Sequence, residues 1–200
     1  MINNLSTRIT EQLISSNTIK QEDRDLYIYG IFMLLSQLMF ILLTVAFGFV
    51  LNCVIESIVF YIAFQFIRRY AGGYHAKTEA RCEIMSTLSI FACLAVIRLS
   101  KTYDFYILML CLAIVAAILI AVFCPLDTPE KPLSEKEFKY FRKISWIILS
   151  VITIAVIISF CFRFNIIFAP CCMSLILESI LLIAGKIKRI YQDKQTDLIK

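Results

Sequence analysis

The sequence predicts an all-α fold, a polytopic membrane protein with six transmembrane helices behind an N-terminal amphipathic interfacial helix. Sixty per cent of its 200 residues are apolar, 18% are charged and the mean hydropathy is +0.81, which is far from the balance of a soluble domain. The apolar residues are also grouped into runs near the length of about 20 residues that a membrane-spanning helix needs. The bilayer is therefore the expected solvent for most of the chain.

The first 24 residues predict the amphipathic helix. Ile2, Leu5, Ile9 and Leu13 recur at steps of three and four residues, with polar side chains between them. Such a helix either lies in the inner membrane interface or docks on the spans of the protein itself, and the sequence leaves both open. The segment lacks the uninterrupted apolar core of a signal peptide, so we expect it to remain in the mature protein.

Six apolar runs follow, within a single domain of residues 1–200: 26–47, 49–67, 84–100, 104–124, 144–162 and 165–185. Only Gly48 and Asn52 separate the first two runs, and fusing them would leave five spans.

The basic residues favour six spans. With both termini cytoplasmic, only Arg98, Lys101 and Arg163 of the 20 Lys and Arg residues lie outside, which is a strong positive-inside bias. We therefore predict a multi-pass cell-membrane protein with cytoplasmic termini. Since the basic residues flank apolar blocks at the cytoplasmic leaflet, we expect no nucleic-acid partner.

The polar segment between the second and third runs carries the candidate chemistry. It contains the single histidine, His75, and Cys82 seven residues later. The glycine pair 72–73 predicts the end of the second helix, and residues from Tyr74 onward are predicted to join the third helix. In that helix His75 and Cys82 share one face but lie about 10 Å apart along the axis, so direct contact needs His75 on a loop that folds back.

A thiol beside an imidazole is suited to nucleophilic catalysis, because a thiolate is reactive near neutral pH. Glu79 lies on the same side of the predicted helix and is a candidate to orient the imidazole of His75. Ser86, one turn beyond Cys82, is a candidate donor to a developing oxyanion or to the substrate. The alternative interpretations stay open: an interfacial histidine, a solvated glutamate and a simple glycine helix end.

The other seven cysteines lie in or beside apolar runs, and none forms a C-x-x-C pair. The sequence thus supports neither a zinc site nor a redox motif.

A competing hypothesis is a small non-enzymatic transporter or scaffold, in which Asn52 and Glu56 of the second span line a pathway. No pair of broken helices in matching halves indicates a transport repeat. Glu56 is otherwise expected to form a wall of a peptide site or to pair with a basic side chain.

Several short motifs occur together in this chain. Arg69-x-x-Gly72-Gly73-x-His75-Ala76 precedes Cys82 and Ser86, and a later loop runs from Cys124-Pro125 to Lys131-Pro132. With the amphipathic start and the six spans, the chain resembles the AgrB family, the membrane endopeptidases of accessory-gene-regulator quorum sensing in Gram-positive bacteria. The resemblance covers nearly the whole length.

The resemblance implies that His75 and Cys82 are the catalytic pair, acting at the cytoplasmic face. Cys82 would attack an AgrD-like precursor peptide, release its acidic carboxyl-terminal tail and leave an acyl-thioester, which cyclises to a thiolactone or lactone. The basic, proline-rich loop around Lys131 suits the holding of an acidic peptide, and Arg69 belongs to the resembling motif. No metal or organic cofactor is implied. Membrane lipid and a second copy of the chain, in a homodimer, are the other expected partners.

Overall fold

The computed structural model describes residues 2–74, 78–126 and 134–198, and the regular structure in these residues is helical. Seven α-helices and one short 3-10 helix, Gln21–Asp23, follow in chain order: α1 Ile2–Ser15, α2 Arg24–Val50, α3 Val54–Ala71, α4 Glu79–Leu99, α5 Tyr106–Phe123, α6 Glu135–Cys161 and α7 Asn165–Leu198. The predicted all-α class is confirmed.

Five of these helices, α2 and α4 to α7, are long and apolar enough to cross a membrane. The remaining predicted span, 49–67, corresponds to α3, which has 18 residues but carries Glu56, Arg68 and Arg69. Its charges lie in its first and last turns, so the apolar middle is short. The polytopic character is confirmed, and a crossing by α3 remains a prediction.

The chain forms two compact units, residues 1–46 and 47–200. In the first unit, the side chain of Glu11 in α1 pairs with Arg24 at the start of α2 at 3.3 Å. The predicted amphipathic segment is helical, and Leu5 on its apolar face is 48% exposed. An exposed apolar face of this kind suits a membrane interface.

The second unit is organised around α7, which packs against α3, α4, α5 and α6. Phe60 and Ile67 of α3, Ile120 of α5 and Phe168 and Leu182 of α7 are fully buried. Helices that pack inside a membrane approach closely where side chains are small. α5 buries two alanines in this way, Ala113 and Ala116.

The boundary between the first two predicted spans lies later than expected. α2 continues through Gly48 to Val50, and the turn is made around Asn52, whose φ is +53°. Asparagine tolerates this left-handed conformation better than most residues. A Cβ at Gly48 would collide with the side chain of Ser57, so this glycine permits a close approach of α3 rather than a turn.

The alternating helix directions give the second unit two ends. At one end α3 and α5 finish while α4 and α6 begin, and α7 passes alongside. We call this the loop end and define it as residues 68–74, 78–82, 123–126 and 178–188. At the other end Glu56 is buried and pairs with Lys101 at 2.6 Å. Glu56 lies about 18 Å from Arg68 along α3, at 1.5 Å per residue.

Candidate active site

Cys82 lies in the first turn of α4, at the loop end. Thr78 caps this helix: its backbone is extended and its Oγ1 accepts a hydrogen bond from the backbone N–H of Arg81 at 3.4 Å. The backbone N–H of Cys82 donates to the Thr78 carbonyl oxygen at 3.1 Å, which is the first bond of the helix. The thiol lies at a capped helix start and is half-buried rather than enclosed.

The prediction that the third helix runs continuously from Tyr74 is wrong. Residues 72–74 are not helical, and α4 begins only at Glu79. The glycine pair is responsible for ending α3, because Gly72 has φ +80° and Gly73 has φ +141°, values that side-chain-bearing residues rarely adopt. His75 itself lies outside the described residues.

The chain at segment 72–74, which leads directly to His75, is held by two backbone hydrogen bonds, one at Tyr74 and one at the preceding Ala71. The N–H of Tyr74 donates to the carbonyl oxygen of Leu181 in α7 at 3.0 Å. The N–H of Leu126, just beyond α5, donates to the carbonyl oxygen of Ala71 at 2.8 Å. The chain is therefore held between α7 and the α5 end immediately before the histidine.

Arg68 provides a third attachment for this segment. Its Nη1 donates to the carbonyl oxygen of Gly72 at 2.8 Å and its Nη2 to that of Tyr74 at 2.7 Å. Nη1 also lies 3.9 Å from Oε2 of Glu178, a residue of α7 whose side chain has no exposed surface. A Cβ at Gly73 would collide with the guanidinium of Arg68, so the two hydrogen bonds that Arg68 donates require glycine at that position.

Gly185 and Leu126 complete the packing around the segment. A Cβ at Gly185 would lie 3.0 Å from the carbonyl carbon of Gly73 and 3.0 Å from the nitrogen of Tyr74, and it would collide with the Leu126 side chain. Because the two backbone contacts are tighter than most real Cβ contacts, the glycine lets α7 bring bare backbone against segment 72–74.

The loop end is also basic at its surface. Arg69 and Lys186 are exposed, and Nζ of Lys186 lies 3.8 Å from the centroid of the Phe123 ring. Nζ of Lys188 lies 5.7 Å from the centroid of the Tyr74 ring. Cations collected on one face attract acidic ligands.

Some of the predicted site residues lie at the same end of the second unit as Cys82, one lies at the opposite end, and others are outside the described part of the chain. Ser86 is half-buried in α4, one helical turn from Cys82, and Arg69 is exposed at the last turn of α3. The side chain of Glu79 lies outside the described part of the chain, as does Lys131. Glu56 pairs with Lys101 at the opposite end, which matches the expectation of a basic partner and separates it from Cys82.

The other cysteines differ from Cys82 in their surroundings. Cys53 and Cys124 are buried beside helix ends, and burial raises the pKa of both thiols. The rest lie in the spanning helices: Cys93, Cys111, Cys161, Cys171 and Cys172. Within residues 2–74, 78–126 and 134–198, no group of three His, Cys, Asp or Glu residues is placed to hold a metal ion.

Sequence reasoning missed Arg68 and Glu178. Glu178 had a readable signal, because it is a carboxylate in the middle of the apolar run 165–185, and such residues are functional candidates by default. Arg68 gave a weaker signal, since an arginine in the last turn of a helix is usually explained by the helix dipole. Their pairing depends on tertiary structure.

Comparisons with known proteins identify relatives of this chain. The family model described as Accessory gene regulator B matches residues 6–182. The chain is similar to a putative AgrB-like protein of Clostridium perfringens strain SM101, with 26% identity over 82% of this chain and 80% of the relative. A second putative AgrB-like protein of the same species, from strain 13, is 28% identical over the same shares.

Other relatives match over shorter stretches. The accessory gene regulator protein B of Staphylococcus aureus strain MW2 is 33% identical over 54% of this chain and 59% of the relative. No solved structure matches the chain. Since the family model covers most of its length, the chain belongs to the accessory gene regulator B (AgrB) family.

Proposed function

We propose that this chain is a membrane cysteine endopeptidase that removes the carboxyl-terminal tail of an AgrD-like pheromone precursor and promotes its cyclisation. The observation that carries the proposal is the half-buried thiol of Cys82 at a capped helix start, at the same end of the second unit as the hydrogen-bonded segment 72–74 that leads to His75. Membership of the AgrB family supports a role in processing a quorum-sensing autoinducer.

The first half of the reaction is acyl transfer to the thiol. His75 accepts the thiol proton, and the sulfur of Cys82 attacks the scissile carbonyl carbon, forming a C–S bond. The C–N bond then breaks, and the imidazolium of His75 protonates the leaving amine of the tail. The product is an acyl-thioester on Cys82 and a free tail peptide.

The second half is transfer to a nucleophile inside the precursor. A cysteine or serine side chain of the precursor attacks the thioester carbonyl and gives up its proton, and Cys82 leaves as a thiol. The ring product is a thiolactone or a lactone, according to the attacking atom. Because the thiol of Cys82 and the imidazole of His75 supply the nucleophile and the acid–base group, the proposed steps use no metal or organic cofactor. A water-poor setting favours ring closure over hydrolysis.

The basic face of the loop end is suited to the substrate's charge. Exposed Arg69 and Lys186 attract an acidic tail, and we assign the Lys131 loop the same role. Ser86 and Glu79 remain candidates for a substrate contact and for orienting His75. We further propose cytoplasmic termini, a site at the cytoplasmic face and a homodimer in the lipid bilayer.

Co-expression with a cognate AgrD-like peptide tests the proposal. Carboxyl-terminal cleavage is followed by mass spectrometry in wild type, Cys82→Ala, His75→Ala and the control Cys111→Ala, which removes another unburied cysteine inside α5. We expect cleavage in wild type and the control, none in the two site variants, and a trapped acyl-enzyme at Cys82. Undiminished cleavage in Cys82→Ala would overturn the peptidase and favour the transporter or scaffold.

A further inference from the structure

Glu178 has no role in the acyl-transfer steps, yet it is a carboxylate with no exposed surface inside the most buried spanning helix. Neither of its oxygens has a hydrogen-bond partner among the residues that the structure describes. The cationic group paired with it is Arg68, at 3.9 Å. A carboxylate in such a place is costly, so its retention calls for a reason beyond packing.

The side chain of Arg68 is one-fifth exposed, and it donates two hydrogen bonds to the backbone that precedes His75. A guanidinium is a planar fork of fixed geometry, so two simultaneous bonds to carbonyl oxygens define the position of the atoms that carry them. Nη1 is shared, since it bonds the Gly72 oxygen and faces Glu178. The carboxylate therefore attracts the guanidinium to the side of α7 from which its fork reaches segment 72–74.

Covalent geometry extends this effect to the proposed base. His75 follows Tyr74 directly, and neighbouring α-carbons are about 3.8 Å apart across a trans peptide. A shift of the Tyr74 carbonyl thus changes where the imidazole can reach. Catalysis by a base is sensitive to such shifts, because a misplacement of about 1 Å can cost roughly a hundredfold in rate.

We propose that Glu178 is a positioning residue for the endopeptidase reaction: through its ion pair with Arg68 it holds the segment 72–74 in the conformation that delivers His75 to Cys82. This inference rests on the proposed function. It assigns Glu178 no contact with the substrate, so the residue acts on the rate of acyl transfer rather than on peptide binding.

The test uses the full chain in lipid vesicles with a synthetic AgrD-like precursor, and kcat and KM for tail release are measured per folded protein. We expect Glu178→Gln to lower kcat by roughly ten- to a hundredfold, the range of a small misplacement, with KM unchanged. Glu178→Asp, which keeps the charge, should recover part of kcat. The matched control is Glu56→Gln, which removes the other buried carboxylate of an ion pair, at the opposite end, and should keep wild-type kcat.

A double variant separates positioning from folding. Arg68→Gln with Glu178→Gln leaves no uncompensated charge, and loss of one partner alone is what makes broken buried pairs destabilising. If Glu178 acts through Arg68, the double variant is no slower than Arg68→Gln alone, because effects on a shared pair are not additive. If Glu178→Gln alone does not accumulate in the membrane, the comparison of the double variant with Arg68→Gln still tests the positioning role of Glu178.

The outcomes distinguish the inference from the proposed function. Wild-type kcat in Glu178→Gln, a change in KM alone, or fully additive effects in the double variant would overturn the positioning role while Cys82→Ala remains inactive. Cleavage by Cys82→Ala would instead remove the reaction itself and the inference with it.

Discussion

Replacement of Gly185 by alanine tests whether α7 holds the segment before His75. Gly185 is buried inside α7, where a new Cβ would lie 3.0 Å from both the carbonyl carbon of Gly73 and the nitrogen of Tyr74, and would collide with Leu126. The Leu126 side chain can rotate away. The atoms of Gly73 and Tyr74 are backbone, so they yield only if segment 72–74 shifts by a few tenths of an ångström.

The magnitude follows from two opposing terms. Glycine to alanine in a helix interior ordinarily stabilises by about 0.8–1 kcal/mol. An added methyl in a packed site costs about 1–3 kcal/mol. The overpacking term is the larger here, because two of the three contacts are backbone, and we expect a net loss of about 1 kcal/mol. In a chain of this size that lowers Tm by about 2–4 °C.

Gly30→Ala is the matched control, since Gly30 also lies inside a spanning helix but a Cβ there meets no atom within 4 Å. We expect Gly30→Ala to raise Tm and process the precursor at the wild-type rate, whereas Gly185→Ala lowers both Tm and kcat. Thermal unfolding in detergent and tail release in vesicles measure the two quantities. If Gly185→Ala raises Tm as the control does and cleaves normally, the segment is not packed on α7 and the reasoning is wrong.

Two further predictions concern Cys82 and its surroundings. Thr78→Ala should destabilise the start of α4 by about 0.5–2 kcal/mol and slow acyl transfer to Cys82, while Thr78→Ser restores both; an unchanged Tm and rate in Thr78→Ala would contradict the cap. Alkylation of inverted membrane vesicles near neutral pH, read by mass spectrometry, should label Cys82 before Cys124. Burial raises the pKa of the Cys124 thiol, so this thiol keeps its proton to higher pH than an ordinary cysteine and becomes reactive only there or after unfolding. Equal labelling of the two at neutral pH would contradict the described burial.

The helices were predictable because the bilayer requires long apolar runs with every backbone group bonded internally. Their ends were harder to predict, because an apolar run stops at the membrane surface while a helix stops at a cap. α6 begins at Glu135, well before the apolar run at 144, and Ser134 with Glu137 forms a capping box at its start. That Ser-x-x-Glu pattern was present in the sequence and would have placed the boundary correctly.

The start of α4, at the candidate site, was another helix end that was hard to predict. Thr78 was readable as a helix cap, yet the absence of glycine and proline after residue 73 favoured one continuous helix. Helix propensity alone does not decide such a case. Segment 72–74 instead bonds to Leu181 and Arg68, neither of which its own sequence reveals. Tertiary hydrogen bonds outweigh a local preference of a few tenths of a kcal/mol per residue.

The proposed catalytic pair and the residues that hold segment 72–74 differ in how far they are spread along the chain, and this explains what could be predicted from the sequence. His75 and Cys82 are close in sequence, so their spacing can be read directly. The groups that fix the approach to His75 come from α3, the end of α5 and α7, and only folding brings Arg68, Leu126 and Glu178 together. A carboxylate inside an apolar run was a sufficient signal that α7 does more than span the membrane. What it supports could be inferred only once the guanidinium of Arg68 was seen to face the carboxylate on one side and the backbone carbonyls on the other.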